Sequence, residues 1–202
     1  MAGLWLIAYD LDPGREAEYL HWFHETHIPE KLARPGYNWA AHYLSKGAGE
    51  SGRHRYIALF GGDDSSVFYD PSPEQIKPNQ PPETKSMMGF RSNVGIYICS
   101  LEWIRNKNEK VLNPKPAIDS KEMDLLTFEV PAGDQTLPSA LVQKLWPGLK
   151  KQSQFNRLHK YLSSTGERRH IVLVERDRGG ETVFESPTAL ATCLSTTRLW
   201  PR

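Results

Sequence analysis

The chain has 202 residues, a length that accommodates one large domain or two compact halves. Its 25 lysine and arginine residues nearly balance its 24 aspartate and glutamate residues, so no net field recruits a nucleic acid or an anionic membrane. The two cysteines show no CxxC spacing, which excludes a disulfide scaffold and a Cys-ligated zinc site, and no apolar run approaches the length of a membrane span. We therefore expect a cytoplasmic protein whose partner is a small molecule.

The first half of the chain changes between strand-like and helix-like patterns. Its N-terminal apolar run is rich in branched and aromatic residues and lacks the basic flank of a signal peptide. Five prolines between Pro71 and Pro82 exclude a long unbroken helix, and we expect a loop over Ser72–Lys85 near a cavity mouth. The predicted elements are a strand Leu4–Leu11, a helix from Arg15 to about Pro29 with a kinked extension toward Leu32, strands Tyr37–Ser45 and His54–Phe60, a short or broken helix within Val67–Met88, and a strand Val94–Ile104.

The second half repeats this order of elements. The segment FNRLHKYLS at Phe155–Ser163 matches YNWAAHYLS at Tyr37–Ser45 in its Asn, Tyr, Leu and Ser positions. Because the surrounding elements also follow the same order, an internal duplication is predicted. The other predicted elements of this half are a strand Leu125–Val130, a helical segment Pro138–Lys151 and a strand Arg169–Val174.

We interpret the chain as an α+β protein of two tandem ferredoxin-like units (βαββαβ), packed sheet to sheet as a single-chain α/β barrel. Each unit has helices on one sheet face only, so apposing the two bare faces buries both. The first unit spans residues 1–105, residues 106–120 form a linker, and residues 121–202 form a second, degenerate unit. A helical segment near Pro187–Leu194 leaves Thr196–Trp200 for the last strand, which is therefore short or absent.

Three histidines follow one another at intervals of three residues on the first helix, namely His21, His24 and His27. Each step turns the helix by about 300°, so His24 and His27 share a face. These two residues could act as metal ligands with Glu25 or His42 as the third ligand. The spacing is not HExxH, and we expect no metal.

The residue with the strongest catalytic setting is His27, because it stands immediately before Pro29 at the predicted end of the helix. An imidazole acts as a general acid or base near neutral pH when a partner fixes its tautomer, and Glu30 or Tyr43 is the expected partner. The alternative is that His27 caps the helix C-terminus, where a cation meets the helix dipole. His24 is a second catalytic candidate.

Large aromatic residues on the predicted strands suggest a substrate pocket inside the barrel. Strand alternation puts Trp5, Ile7 and Tyr9 on one face of the first strand and Leu4, Leu6 and Ala8 on the other. Aromatic side chains with polar tips line many ligand pockets, although they also fill the cores of barrels. The expected substrate-binding residues are Trp5, Tyr9, Trp39, His42 and Tyr97, with Tyr43 also shaping the pocket.

The stretch Ala17–Ser45 resembles the dimeric α/β-barrel superfamily, and in particular its EthD-like proteins. The resemblance rests on Trp22 in the helix, the motif His27-Ile28-Pro29, the pair Pro35-Gly36 and the aromatic-bearing strand Tyr37–Ser45. If the site histidine of the family carries over, it carries over onto His27 alone, because the second half has no counterpart. The family normally pairs two chains to form one barrel, whereas this chain would form it alone, so the oligomeric state stays open and a homodimer is one outcome.

The resemblance implies a small apolar or cyclic carbonyl substrate held in the barrel. The expected chemistry is acid–base catalysis of the isomerase, lyase or hydrolase type without a tightly held cofactor. The superfamily includes other activities, so its fold constrains function weakly. The first alternative is therefore a cofactor-free or haem-assisted monooxygenase. The second is a non-catalytic ligand-binding or accessory protein of a degradation pathway.

Overall fold

The computed structural model describes residues 1–49, 52–108, 117–129, 145–152, 155–165, 169–177 and 190–201. Within these ranges, eight antiparallel strands close into one barrel, which confirms an α+β fold built around an α/β barrel. The strands are β1 Gly3–Leu11, β2 Tyr37–Ala48, β3 His54–Gly62, β4 Arg91–Asn106, β5 Glu122–Glu129, β6 Phe155–Ser163, β7 Arg169–Arg176 and β8 Leu190–Trp200.

Helical segments connect β1 to β2 and β3 to β4. The first connection contains a 3-10 turn Pro13–Arg15, α1 Glu16–Trp22, a π-helical turn Phe23–His27 and α2 Ile28–Leu32. The second contains 3-10 turns Ser65–Phe68 and Lys77–Asn79, with α3 Pro73–Ile76 and α4 Pro82–Met88. Residues 145–151 are helical in the second half.

The expected loop over Ser72–Lys85 is wrong in one respect, because this segment is a series of short helical pieces. Pro73 opens the first piece, Pro78 lies in the first turn of the second and Pro82 opens the third. Proline is tolerated in the first turn of a helix, where the missing N–H has no intrahelical partner, but it blocks continuation from the preceding turn. The prolines therefore divide the helix instead of abolishing it.

The two halves of the chain have the same strand order. The first half is ordered β4-β1-β3-β2 and the second β8-β5-β7-β6. The halves meet edge to edge: β2 pairs with β8 from Ser45 opposite Thr196, and β4 pairs with β6 from Cys99 opposite Ser163. The backbone ladders between these edge strands close the barrel. The two halves therefore form one continuous sheet and not two sheets stacked face to face.

Two expectations about the second half are wrong, namely the helical segment near Pro187–Leu194 and the short or absent last strand. From Leu190 onward the chain forms the long strand β8, whose backbone pairs with both β5 and β2. At the end of the predicted linker, Ile118 packs into the core and Ser120 is buried. The rest of the linker and the connection from β7 to β8 fall largely outside the described residues.

Alternation along the strands divides the side chains between the barrel interior and an outer layer. Leu4 and Leu6 of β1 pack inside with Leu125 and Leu173 from the other half. Trp5 and Tyr9 lie on the opposite face, which confirms the predicted alternation. There they pack in one cluster with residues of the first helical connection, including Tyr19, Trp22, Phe23 and Ile28.

Candidate active site

A cavity of about 390 Å³ lies outside the barrel, between the outer face of β1 and β4 and the helical connections. Its size falls at the lower end of the range for small-molecule sites, about 300–1,000 Å³. The apolar part of its wall comes mainly from Trp5, Ile7, Ile76, Met88, Val94 and Ile96, and the polar part from His27, Lys31, Lys77, Gln80 and Arg91. Residues Ile76, Lys77 and Gln80 belong to the Pro-rich segment, whose predicted place beside a cavity is therefore confirmed.

A π-helical turn positions His27 in this cavity. The N–H of Ile28 donates to the carbonyl oxygen of Phe23, five residues earlier, instead of closing a regular α-helical turn. Proline two residues after His27 accounts for the wider turn, because in a regular helix the Pro29 ring would collide with the carbonyl group one turn before it. The helix continues as α2, so His27 does not cap a helix C-terminus.

The imidazole of His27 is buried, and in the part of the chain that the structure describes only cations lie near enough to influence its charge. Its ring lies 4.8 Å from the ring of Trp22 and 5.5 Å from that of Phe23, and its Nδ1 atom is buried without a hydrogen-bond partner in the described residues. Burial, and then the positive charges of Lys31, Arg91 and Arg34, lower the pKa of His27 to about 2. The free site therefore holds a neutral imidazole at physiological pH.

Lys31 follows His27 by four residues on the same helix and reaches the same cavity. It is only 5% exposed, and its Nζ atom lies 5.1 Å from the centre of the Trp5 ring, which is a cation–π distance. Burial, together with the charges of Arg34 and Arg91, lowers the pKa of Lys31 to about 8. Its amine is therefore partly deprotonated near neutral pH.

Arg91, at the start of β4, supplies a fixed cation. Its guanidinium lies over the rings of Tyr9, Tyr19 and Phe23 at 4.3, 5.3 and 5.3 Å. Its Nε donates a hydrogen bond to the hydroxyl of Tyr19, and its Nη2 atom is buried without a partner in the described residues. A guanidinium stays charged at any physiological pH, so this group presents an unused donor beside the cavity.

A buried chain of hydrogen bonds runs behind the cavity. The Tyr9 hydroxyl lies 2.8 Å from Nε2 of His42, and Nδ1 of His42 lies 2.8 Å from Nε2 of His24. Burial raises the pKa of Tyr9 and lowers that of His42, so both are neutral. His24 lines a second, more open cavity of about 690 Å³ on the other side of α1, together with Lys121 and Arg198.

The structure separates the predicted site residues into three groups. Trp5 and His27 line the cavity, and the predicted catalytic candidate His24 joins the predicted binding residues Tyr9 and His42 in the chain behind it. The remaining three lie on the barrel side. Tyr43 is buried inside the barrel and donates to the carbonyl oxygen of Ser120, while Trp39 and Tyr97 pack against the interior cluster.

The expected pocket inside the barrel therefore differs from the observed cavity, which lies outside it. Side chains from both halves fill the described part of the interior. The residues that sequence reasoning missed are Lys31 and Arg91. The interval of four residues between His27 and Lys31 was a usable signal, because such residues share a helix face. Nothing in the local sequence around Arg91 connects it to His27.

The residues that were considered as possible metal ligands do not converge. His24 and His42 are hydrogen-bonded to each other, whereas the ring of Phe23 contacts both His27 and His42 from between them. Over the described ranges, no three His, Cys, Asp or Glu residues are arranged to hold a metal ion. The same ranges contain no helix that is long and apolar enough to cross a membrane.

No family model and no curated protein matches the sequence. Solved structures do match the fold. An anthrone oxidase-like protein superposes with a TM-score of 0.61 at 9% identity, over 98% of this chain and 91% of that one. A candidate monooxygenase from Fusobacterium nucleatum gives 0.58 at 8% identity, over 98% and 91%. A chlorite dismutase variant from Candidatus Nitrospira defluvii, in complex with cyanide, gives 0.56 at 11% identity, over 98% and 90%.

These likenesses define the class of fold. The chain shares the fold of these structures, an antiparallel barrel with helical connections, and a single polypeptide supplies both halves of that barrel. At such low identities the likeness shows the fold alone, because the fold hosts many chemistries.

Proposed function

We propose that this protein is a small-molecule enzyme that binds an apolar or cyclic carbonyl compound in the His27 cavity and transfers a proton to or from it. The observation that carries the proposal is the charge of the wall: its ionic groups are Lys31, Lys77 and Arg91, and no described carboxylate lines the cavity. Such a site favours an anion, and the enolate formed when a carbonyl compound loses its α-proton is an anion.

Two of the polar groups have a direct role in this reaction. Arg91, held by Tyr19 and the aromatic rings, stabilises the negative charge that develops on the carbonyl oxygen. His27 accepts the proton in its neutral form and returns it to another position. In the free site burial and then the surrounding cations lower the pKa of His27, whereas an enolate supplies the opposite charge and raises this pKa during the reaction. Trp5 and the aliphatic wall contact the apolar part of the substrate.

A second function uses the same first step. A cofactor-free monooxygenase also begins by removing a proton from its substrate, and the resulting carbanion then gives electrons to O₂. The apolar wall around Trp5 and Ile7 suits the aromatic or cyclic substrate of such a reaction. The anthrone oxidase-like and monooxygenase descriptions of two similar structures favour this candidate. A Soret band in the purified protein would instead support the haem-assisted form.

The binding part of the proposal is tested with a charged and an uncharged probe. We expect 1-naphthoate to bind more tightly than 1-naphthalenemethanol in a calorimetric titration. Replacing Arg91 by Met removes a charge-assisted contact worth about 1.5–3 kcal/mol, so the naphthoate affinity falls about 10- to 100-fold. Equal affinities for the two probes in the wild type would contradict the proposal.

The chemical part is tested with a cyclic ketone and with O₂. We expect 1-tetralone in D₂O to exchange its α-protons faster with the wild type than with His27→Ala, as followed by NMR. Oxygen consumption with anthrone, measured under the same conditions, distinguishes the monooxygenase. Tight binding of naphthoate without either reaction would contradict both catalytic functions and leave the ligand-binding or accessory protein.

The finer architecture belongs to the same proposal. We propose that residues 1–105 and 121–202 are duplicated ferredoxin-like units joined by residues 106–120, that the first is EthD-like, and that the protein is cytoplasmic. The shared strand order supports the duplication, as does the position of the matched segments, which form β2 and β6. Light scattering after gel filtration tests whether two chains associate as a homodimer.

A further inference from the structure

From the geometry of the cavity, we propose that Lys31 is a nucleophile that forms an imine with an aldehyde or ketone substrate. The inference rests on the proposed function, because it names the covalent step through which a carbonyl compound would be held and activated. It adds a residue to which the sequence assigned no role.

The position of Lys31 separates it from ordinary surface lysines. Its side chain lines the cavity, and it is only 5% exposed. Its Nζ atom lies 5.1 Å from the centre of the Trp5 ring. Across the described residues, no carboxylate forms an ion pair with Nζ. A lysine that is buried against an apolar wall without a counter-ion is in the environment that favours a free amine.

Most of the charged groups around Lys31 act in the same direction. Arg34 in the turn after α2 and Arg91 on β4 both disfavour the ammonium form, and the neighbouring Glu30 opposes them. His27 is neutral and so adds no further charge beside Lys31. Desolvation beside other cations is a recognised way to activate an amine nucleophile.

Formation of the imine needs only the amine, the carbonyl compound and a proton from the solvent. The lone pair of Nζ attacks the carbonyl carbon, and a C–N bond forms. The carbonyl oxygen leaves as water, taking one hydrogen from the nitrogen and one proton from the solvent. The product is an iminium ion, which withdraws electrons from the α-carbon, so that His27, one helical turn away, removes the α-proton and leaves a neutral enamine. In this route Arg91 stabilises the oxyanion that forms when Nζ attacks, before the oxygen leaves as water. The substrate class is therefore a small apolar aldehyde or ketone.

The test is reductive trapping on the full-length protein at pH 7. Benzaldehyde is added with cyanoborohydride, which delivers a hydride to the iminium carbon and makes the bond permanent, and peptide mapping locates the label. A lysine with a pKa of about 8 has roughly 200-fold more free amine at pH 7 than one with a pKa of about 10.4. We therefore expect Lys31 to be labelled at least about 30-fold faster than Lys77, which lines the same cavity but is exposed.

Variants and a parallel binding measurement separate the outcomes. Lys31→Met and Lys31→Arg should both lose the fast label, while Lys46→Met, at an exposed lysine outside the cavity, should keep it. Labelling of Lys31 at the rate of Lys77 in the wild type would overturn the inference, and that result needs no variant to fold. If naphthoate still binds in that case, the imine is wrong and the binding part of the proposed function stands. If naphthoate fails to bind as well, both are wrong.

Discussion

The Nε2 atom of His24 and the Nδ1 atom of His42 lie 2.8 Å apart, so a histidine of the helical connection is joined directly to a histidine of the barrel wall. The other nitrogen of His42 meets the hydroxyl of Tyr9. A neutral imidazole has one donor and one acceptor, so the position of one proton on His42 sets the direction of both hydrogen bonds. These hydrogen bonds hold the π-helical turn against β1 and β2 behind the cavity.

Replacing His42 by Leu should destabilise the protein. The substitution removes two buried hydrogen bonds, and we expect the free energy of unfolding to fall by about 1–3 kcal/mol. His21→Ala is the control, because His21 is an exposed histidine of α1, and it should change stability by less than about 0.5 kcal/mol. Urea unfolding at pH 7.5 measures both. Equal stabilities of the two variants would mean that the chain contributes nothing.

We expect the free energy of unfolding to decrease on acidification before the pH is low enough to protonate the carboxylates. The pKa of His27 is about 2 in the folded protein and about 6.5 in an unfolded chain, so below pH 6.5 the unfolded state binds more protons. Stability is therefore fully present above pH 6.5 and falls as the pH drops, by up to about 1.4 kcal/mol per pH unit for each such histidine. The lowered pKa of His42 acts in the same direction.

Urea unfolding at pH 7.5, 6 and 5 measures this dependence. The His27→Leu variant should show a shallower loss of stability over this range, because one of the two histidines no longer titrates. The pKa of Glu175 is lowered to about 2, and its contribution begins only below pH 4.5, outside the range of the experiment. An unchanged slope in His27→Leu would show that His27 is hydrated in the folded state.

Replacing the buried carboxylate of Glu175 should lower the free energy of unfolding more than breaking a surface ion pair. Glu175 is buried, accepts hydrogen bonds from the backbone and hydroxyl groups of Ser120, and pairs with Arg157 and His159. Glu175→Ala leaves these partners buried and uncompensated, so we expect a loss of about 3–5 kcal/mol. The control is Lys46→Ala, which breaks an exposed pair with Glu122 and should cost about 0–1 kcal/mol. Similar losses in thermal or urea unfolding would refute this ranking.

Gly61 allows the indole of Trp39 to lie directly on β3. A Cβ atom at this position would stand 1.8 Å from Nε1 of Trp39, so Gly61→Ala must displace the ring. We expect a loss of about 1–3 kcal/mol from overpacking. Gly148 is the matched control, because a Cβ there meets nothing within 4 Å and the residue is helical. Gly148→Ala should leave stability unchanged or raise it by about 0.5–1 kcal/mol, and a reversed order of the two effects would contradict the structure.

Once a substrate is found, His27→Ala should lower turnover by about 10²- to 10⁴-fold, the usual contribution of a general acid or base. A thermal melt under the same conditions checks that the variant is folded. His21→Ala should retain full turnover. Wild-type turnover in a folded His27→Ala variant would assign the proton transfer to another group, and Lys31 would then be the first to examine.

Much of the fold could be predicted from short-range pattern. The alternation of Leu4 and Leu6 with Trp5 and Tyr9 assigned the two faces of β1, because successive side chains of a strand point to opposite sides. The bounds Phe155–Ser163 of β6 follow from its match to Tyr37–Ser45. His27 was located by its place before a proline, and the structure shows that this proline accompanies the π-helical turn.

Only the tertiary structure decided where the cavity lies and which charges face it. Lys31 and Arg91 are 60 positions apart, and a lysine or arginine at the edge of an amphipathic helix or strand ordinarily predicts a solvated side chain. Their burial depends on how the helical connections lie over β1 and β4, and sequence periodicity does not encode that arrangement. The same holds for β8, since its strand conformation is stabilised by ladders with β2 and β5. Local sequence determined most of the elements and their faces. Contacts between distant segments brought the side chains of the candidate site together.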